Sequence, residues 1–260
     1  MSSGAVVSEQ ELRRRQLASQ REFFCTVASG SAGARLVRRA GVQATVVPVR
    51  PWFGFFNSVF YDDAQALEHS LETLAREYAE AGVKAWTVWV PPGEHEAGAM
   101  LERAGHVRDS SPLLMAAPIS AIDLGSHEPT ERVAEPTWDE VARCNDRAHG
   151  VPEHWSMAAV FEQAEDPACH LYALARDGEV ASALVAREQD RDCYFWFVAT
   201  DPRAQREGLA SRLMRHALRR ASERGCTSAT LESTPAGQAV YARLGFRALG
   251  RFAIWERRSD

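Results

Sequence analysis

The 260-residue sequence has no long apolar run. No stretch reaches the length that spans a bilayer, and Met1 to Glu22 is polar and charged where a secretory leader would carry an apolar core. A soluble cytoplasmic protein without a membrane partner is therefore expected. Cysteine is scarce too. Its five copies, Cys25, Cys144, Cys169, Cys193 and Cys226, form neither a CxxC pair nor a His/Cys metal spacing, and an odd number of scattered thiols reads as reduced packing residues. The eight histidines are equally dispersed, so no metal is expected. Nor is there an excess of positive charge. The net charge of -5 removes the overall electrostatic argument for nucleic acid or an anionic surface. The short basic clusters Arg13-Arg14-Arg15 and Arg35-Leu36-Val37-Arg38-Arg39 read as solvated helix faces.

What is present is an ordinary globular composition, 45% hydrophobic and 25% charged, long enough for one large domain or two average ones. Its most informative segment runs from Cys193 to Gly225. Cys193 to Thr200 is rich in aromatic and β-branched residues and reads as a buried strand, ended by Asp201-Pro202. Leu209, Leu213, Ala217, Leu218 and Ala221 then recur at helical spacing, which predicts a helix from about Glu207 to a stop at Gly225. The intervening Gln205-Arg206-Glu207-Gly208-Leu209-Ala210 feeds a helix N-terminus, where unpaired N–H groups and partial positive charge favour an anion. Gly208 and Ala210 are small enough to let phosphate oxygens approach the backbone.

Downstream, Ser228 to Ser233 reads as a short strand and Pro235 to Leu244 as a short helix carrying Tyr241. Gly245-Phe246 ends that helix, and a last strand runs through Phe252 to Trp255. Loop, helix, strand, helix with tyrosine, Gly-Phe and strand together resemble the acyl-CoA-binding region of the GNAT superfamily of N-acetyltransferases over about residues 192 to 256. The resemblance implies an α/β protein of the α+β type, with a mixed, mostly antiparallel sheet flanked by helices. It implies acetyl-CoA as cosubstrate, held by Gln205, Arg206, Glu207, Gly208, Leu209, Ala210 and Ser211. Backbone groups of the preceding strand, at Val198, Ala199 and Thr200, would pair with pantetheine. The resemblance places Tyr241 beside the departing sulfur as general acid. Where many members have an asparagine ahead of the last helix, this chain has Ser233-Thr234-Pro235-Ala236-Gly237, so Ser233 or Thr234 is expected to replace that contact.

The sequence is also an internal repeat. Leu67, Leu71, Leu74, Ala75 and Tyr78 mark an amphipathic helix ending at Gly82. The strand Ala85 to Val90, a helix through Ala97 to His106 and the strand Leu113 to Ala116 follow. Laying Gly82 on Gly225 puts Gln65 on Gly208; laying Gly105 on Gly245 puts Leu101 on Tyr241. Two tandem GNAT-like units are expected, 1–125 degenerate and 126–260 catalytic, similar in layout to mycothiol synthase. The linker is expected near Asp123 to Pro129. In the first unit Asp62-Asp63 stand where the pyrophosphate would sit, and like charge repels it. The aromatic cluster Trp52 to Phe56, with Trp86 and Trp89, is read first as packing and second as a substrate wall.

In the second half, Thr130 to Glu135 reads as an opening strand, Thr137 to Glu140 as a capped helix start, and Leu171 to Val185 as a hairpin turning at Asp177-Gly178. Between them, the loop with His149, Glu153, His154 and Trp155 falls where the resemblance implies an acceptor-binding loop; His149, His154 and Trp155 are the candidate acceptor contacts. An alkylamine has a pKa of about 10.4 and must lose a proton before it attacks a thioester. Glu232, on the strand lining the site, is the candidate base beside water. Cys193 as an acyl-carrying nucleophile is disfavoured, since no histidine is near it in sequence and direct transfer needs no thiol. The expected function is direct acetyl transfer from acetyl-CoA to a primary amine, on a small molecule or a peptide, with a homodimer left open. The alternative is a non-catalytic acyl-CoA-binding or regulatory module.

Overall fold

A computed structural model describes residues 7–125 and 133–259. In chain order the elements are α1 (Glu9–Ser29), β1 (Arg35–Arg39), β2 (Val42–Val46), β3 (Ser58–Tyr61), α2 (Ala64–Glu80), β4 (Ala85–Val90), α3 (Glu96–Arg103), β5 (Val107–Ser110), β6 (Leu113–Pro118), β7 (Val133–Ala134), α4 (Trp138–His149), β8 (Cys169–Arg176), β9 (Glu179–Gln189), β10 (Asp192–Thr200), α5 (Leu209–Glu223), β11 (Ser228–Ser233), α6 (Gln238–Leu244), β12 (Arg247–Arg251) and β13 (Ala253–Arg258). No helix among the described residues is long and apolar enough to cross a membrane.

The strands form two mixed sheets, each in its own compact unit. One is six-stranded, in the order β1-β2-β3-β4-β13-β5; the other is seven-stranded, β12-β6-β11-β10-β9-β8-β7. The repeat legible in the sequence reappears in their topology. Each sheet contains a parallel pair, β3 with β4 and β10 with β11, flanked by antiparallel neighbours. The glycines matched by the repeat, Gly82 with Gly225 and Gly105 with Gly245, all have positive φ just past a helix end.

The division at 125/126 does not follow the sheets. β6 pairs antiparallel with β11, register Ser228↔Pro118 to Ser233↔Leu113, so the seven-stranded sheet takes a central strand from the first half of the sequence. The last strand, placed by the sequence in the second unit, is β13 and pairs with β4 in the six-stranded sheet. A central place demands both edges paired, and β-strand patterning alone does not say which of two similar sheets supplies the partner. Other differences are local. Arg35 to Arg39 is strand β1 rather than a helix face. The helices expected from Glu207 and Pro235 begin at Leu209 and Gln238. Of the expected opening strand only Val133–Ala134 lies in β7, while Thr130, Glu131, Arg132 and linker residues 126–129 lie outside the described residues.

In the six-stranded unit, α2 packs Leu67, Leu71, Leu74 and Tyr78 against Val42, Ala44, Val59 and Val88, and Leu101 is buried in the same cluster. Of Trp52 to Phe56, Phe53, Phe55 and Phe56 resolve as packing in a ring network with Phe24, Phe60, Trp89 and Phe252, whereas Trp52 is 46% exposed. In the seven-stranded unit, Leu209, Leu213, Ala217, Leu218 and Ala221 of α5 cover Cys193, Phe195, Ala229 and Leu231, joined by Tyr241, Leu244 and Phe246. α4 begins with the expected cap. The Glu140 N–H donates to Thr137 Oγ1 at 3.2 Å and the Thr137 N–H to Glu140 Oε2 at 2.7 Å, a pairing that contributes about 1 kcal/mol.

Because β6 is central, residues 126–260 expressed alone should lack a cooperative unfolding transition, whereas the whole chain should show one. Calorimetry with far-ultraviolet circular dichroism checks this, and a fragment melting like the whole chain would make β6 dispensable.

Candidate active site

The candidate site lies where β10 leaves β11. The two strands pair in parallel only from Asp192↔Ser228 to Phe195↔Leu231. β11 goes on with β6 to Ser233, while β10 goes on with β9 to Thr200. Along that second stretch the register moves from Trp196↔Val185 to Ala199↔Ala183, three residues of β10 against two of β9, which is a β-bulge. Phe197 inside it has φ 48°, a left-handed conformation costly for an aromatic residue and held by its surroundings. Val198 thus has neither a β9 register partner nor a β11 neighbour. Ala199 O accepts from Ser182 Oγ at 2.9 Å and Thr200 O from Gln205 Nε2 at 3.2 Å.

That last bond folds Gln205 back onto the strand and starts the turn into α5. Arg206 (φ 67°) and Gly208 (φ 80°) are both left-handed. Gly208 is the N-cap and no side chain caps the helix there, so the amides of the first turn have none of the usual Ser, Thr, Asp or Asn partners. A glycine at this φ adopts the turn without strain and presents bare backbone. Ala210 and Ser211 sit in the first turn. The matched helix start in the other unit is built the opposite way: the Asp63 carboxylate caps α2, accepting from the Ala66 N–H at 2.8 Å, and Asp62 pairs with Arg21 at 2.6 Å. There a carboxylate of the protein itself meets the helix start.

Glu207 also brings a negative charge to the loop before α5. Its carboxylate turns to Arg176 at the end of β8, which donates from Nη1 to Oε1 at 2.7 Å and holds the Glu207 pKa below its ordinary value. The loop's entrance is fixed likewise. Asp201 accepts from Arg147 Nε at 2.7 Å and from the Arg203 N–H at 3.0 Å, and Arg203 pairs with Glu179 at 2.9 Å.

Tyr241 is 9% exposed, on α6, its ring 6.1 Å from that of Phe246. Gly237 is required beside it, since a Cβ there would lie 2.7 Å from the tyrosine ring. Its hydroxyl makes no hydrogen bond among the described residues, and burial pushes its pKa up to about 12. Ser233 Oγ donates to the Thr234 carbonyl at 2.8 Å, so that hydroxyl is bound locally.

Alternation along β11 separates Glu232 from this group. Ala229 and Leu231 face α5 and Tyr241, whereas Glu232 lies on the other face with Tyr194 and α1. It is not turned out to solvent. Tyr194 donates to Oε2 at 2.5 Å and Gln16 of α1 donates to Oε1. Desolvation outweighs these bonds and raises its pKa from 4.5 to about 8. Beside it, the fully buried Asp192 accepts from Ser19, Ser228 and Thr230 at 3.0, 2.8 and 2.5 Å. Arg15, read from sequence as solvated, donates to Thr227 and Ser228. Tyr194, Gln16 and Arg176 were missed in the sequence. Tyr194 lies on the neighbouring strand at a spacing that alternation could have flagged, but no sequence signal links Gln16 to a carboxylate 216 residues away.

The acceptor candidates are exposed. His149 ends α4, and His154 and Trp155 lie in the short helical turn Glu153–Trp155, their rings 6.1 Å apart, with Trp155 41% exposed. The loop is pinned behind them, where Asp146 accepts from Ser156 Oγ at 2.5 Å. No contact joins these three side chains to Tyr241 or Glu232. Cys193 is fully buried with its thiol pKa raised, which fits packing and not a nucleophile. All five cysteines are free, and no cluster that could hold a metal occurs among the described residues.

The Glu232 shift makes a stability prediction. Below pH 4.5 the group is protonated folded and unfolded; between 4.5 and about 8 only the unfolded chain ionises, so stability falls as pH rises. Glu232→Gln should remove that slope, on the order of a few kcal/mol, and the variant's melting temperature should gain on the wild type between pH 5 and 8. A gain that grows toward low pH would contradict the raised pKa.

Residues 136–246 match the profile of the Acetyltransferase (GNAT) family. Among solved structures, a GCN5-related N-acetyltransferase from Kribbella flavida is 18% identical, with 96% of each chain covered and a TM-score of 0.69. A GCN5-related N-acetyltransferase from Sphaerobacter thermophilus is 16% identical, covering 97% of this chain and 94% of that one, TM-score 0.55. A tandem GNAT protein from the clavulanic acid biosynthesis pathway is 12% identical, covering 95% and 97%, TM-score 0.58. Likeness at these identities concerns the fold, here over nearly the whole length. A search of curated protein sequences finds no match. Residues 136–246, which span the parted strands, the uncapped helix and Tyr241, thus form a domain of the GNAT family of acetyltransferases.

Proposed function

We propose that this protein transfers an acetyl group from acetyl-CoA directly to a primary amine, on a small molecule or a peptide, using the seven-stranded unit alone. The observation that carries the reading is the start of α5, a helix N-terminus without a side-chain cap behind a loop of two left-handed residues. Such a start suits a pyrophosphate, which the amides of Gly208, Leu209, Ala210 and Ser211 would hold. The unpaired side of β10 suits the amides of pantetheine, with Val198 as the backbone group left free by the bulge. The degenerate reading of the other unit is supported by Asp63 at its helix cap and by Leu101, buried where Tyr241 stands in the repeat.

In the proposed reaction the neutral amine attacks the thioester carbonyl. A C–N bond forms, the C–S bond breaks, and the electron pair leaves on sulfur. Glu232 takes the amine's proton. A carboxylate whose pKa is raised to about 8 is a far better base than an ordinary one, and it remains partly ionised near neutrality. Tyr241 gives its proton to the departing thiolate; with its pKa pushed up to about 12, the phenol stays protonated until then. Tyr194 and Gln16 orient the carboxylate. Tyr241 and Glu232 lie on opposite faces of β11, so this reading requires the reacting group to meet both at the parting of β10 and β11. His149, His154 and Trp155 would form the acceptor's rim, where an aromatic face and exposed imidazoles suit a cationic or polar amine.

Acetyl-CoA should bind once per chain. Gly208→Glu, which adds a strained backbone and a charge at the anion site, should abolish binding, and Gln65→Gly in the other unit should leave it unchanged. Calorimetric titration reads both, and two equivalent sites in the wild type would sink the assignment. Tyr241→Phe should hardly alter acetyl-CoA affinity while turnover falls by about 10² to 10⁴-fold. The rate of CoA release with a competent amine measures it. An unchanged rate would reduce Tyr241 to packing, and no wild-type turnover across a broad amine panel would favour the binding module.

A further inference from the structure

An anion site that carries its own carboxylate is self-defeating unless the charge is offset, and the loop before α5 contains Glu207 one residue ahead of the cap Gly208. The carboxylate is drawn to Arg176, the last residue of β8 and 31 residues away, which donates from Nη1 to Oε1 at 2.7 Å and pairs through Nη2 with Oε2. From the other side Arg212, one turn into α5, donates from Nη1 to the Glu207 carbonyl at 2.9 Å. Two guanidiniums therefore bracket the one acidic residue of Gln205 to Ser211. Arg176 is 48% exposed, and a surface pair of this kind contributes little to stability, so folding alone gives weak reason for it.

We propose that Arg176 is a positioning residue for donor binding: by holding Glu207 aside and cancelling its charge, it makes the uncapped start of α5 able to accept the dianionic pyrophosphate of an acyl-CoA. This rests on the acyl-CoA reading above. Arg176 need not touch the phosphates. Its effect is to remove a repulsion. Two unit charges about 6 Å apart interact by about 0.7 kcal/mol in bulk water and about twice that at half the dielectric, so exposing Glu207 should weaken binding by about 3- to 10-fold.

The test is calorimetric titration of acetyl-CoA into the full chain at ~50 mM and ~0.5 M salt, conditions that span weak and strong screening. The variants are Arg176→Ala, Arg176→Lys, Glu207→Gln and Arg176→Ala/Glu207→Gln, each checked for an unchanged melting curve. Arg176→Ala should bind about 3- to 10-fold more weakly at low salt and approach the wild type at high salt. Arg176→Lys, which restores the charge, should recover most of the affinity. The double variant should bind like the wild type, because no carboxylate remains to be masked. Arg176→Ala binding like the wild type at low salt would overturn the proposal. So would a double variant as weak as Arg176→Ala, which would mean that Arg176 holds the loop or meets the phosphate directly. A wild type that takes up no acetyl-CoA at either salt would overturn the acyl-CoA reading itself and this inference with it.

Discussion

Beyond Phe195 the backbone of β10 has a strand on one side only, and a sheet interior tolerates that only where something else pairs the exposed amides and carbonyls. The rest of the site follows from this parting. β11 turns away with β6, the bulge at Phe197 absorbs one extra residue, and the strand ends at Thr200, just before Asp201, whose carboxylate ties the turn into α5 to Arg147 and Arg203. A peptide-like ligand in the gap would gain the hydrogen bonds the missing strand would have made, and its charged end would meet the uncapped helix.

The two units use one topology for different ends. Each has a parallel pair followed by a helix, yet one helix start is capped by Asp63 and the other is left bare at Gly208. A cap contributes about 1 kcal/mol to a helix, and α5 forgoes it. The six-stranded unit buries Leu101 where the other presents Tyr241, so it keeps the packing without the phenol. Exchange of β6 and β13 makes each sheet depend on both halves of the sequence.

The buried polar groups divide by role. Asp192, satisfied by three hydroxyls, joins β10, β11 and the amino-terminal part of α1. Glu232, between the same three elements, has two other donors, Tyr194 and Gln16, and burial raises its pKa as it raises that of Asp192. Asp201, met by two arginines, is driven the other way, well below the ordinary carboxylate range. Within one unit, burial among neutral donors thus raises Asp192 and Glu232, whereas charged arginine donors lower Asp201.

The sequence by itself determined the elements and the chemistry local to them. β11 falls on Ser228–Ser233 as read, α4 starts at its Thr137 cap, and Gly208 marks the bare helix start because a six-residue pattern and a 3.6-residue period are contiguous along the chain. The repeat was also legible, since glycines at helix ends recur at matching positions. Only the tertiary structure decided which sheet receives β6 and β13, because the two halves offer similar edges and pairing is a long-range choice. It alone decided that Glu232 faces Tyr194 and Gln16 rather than solvent, since a period of two gives two faces without saying what covers each. It alone paired Glu207 with Arg176, for a charge on a loop has no sequence signature of the partner that neutralises it across 31 residues.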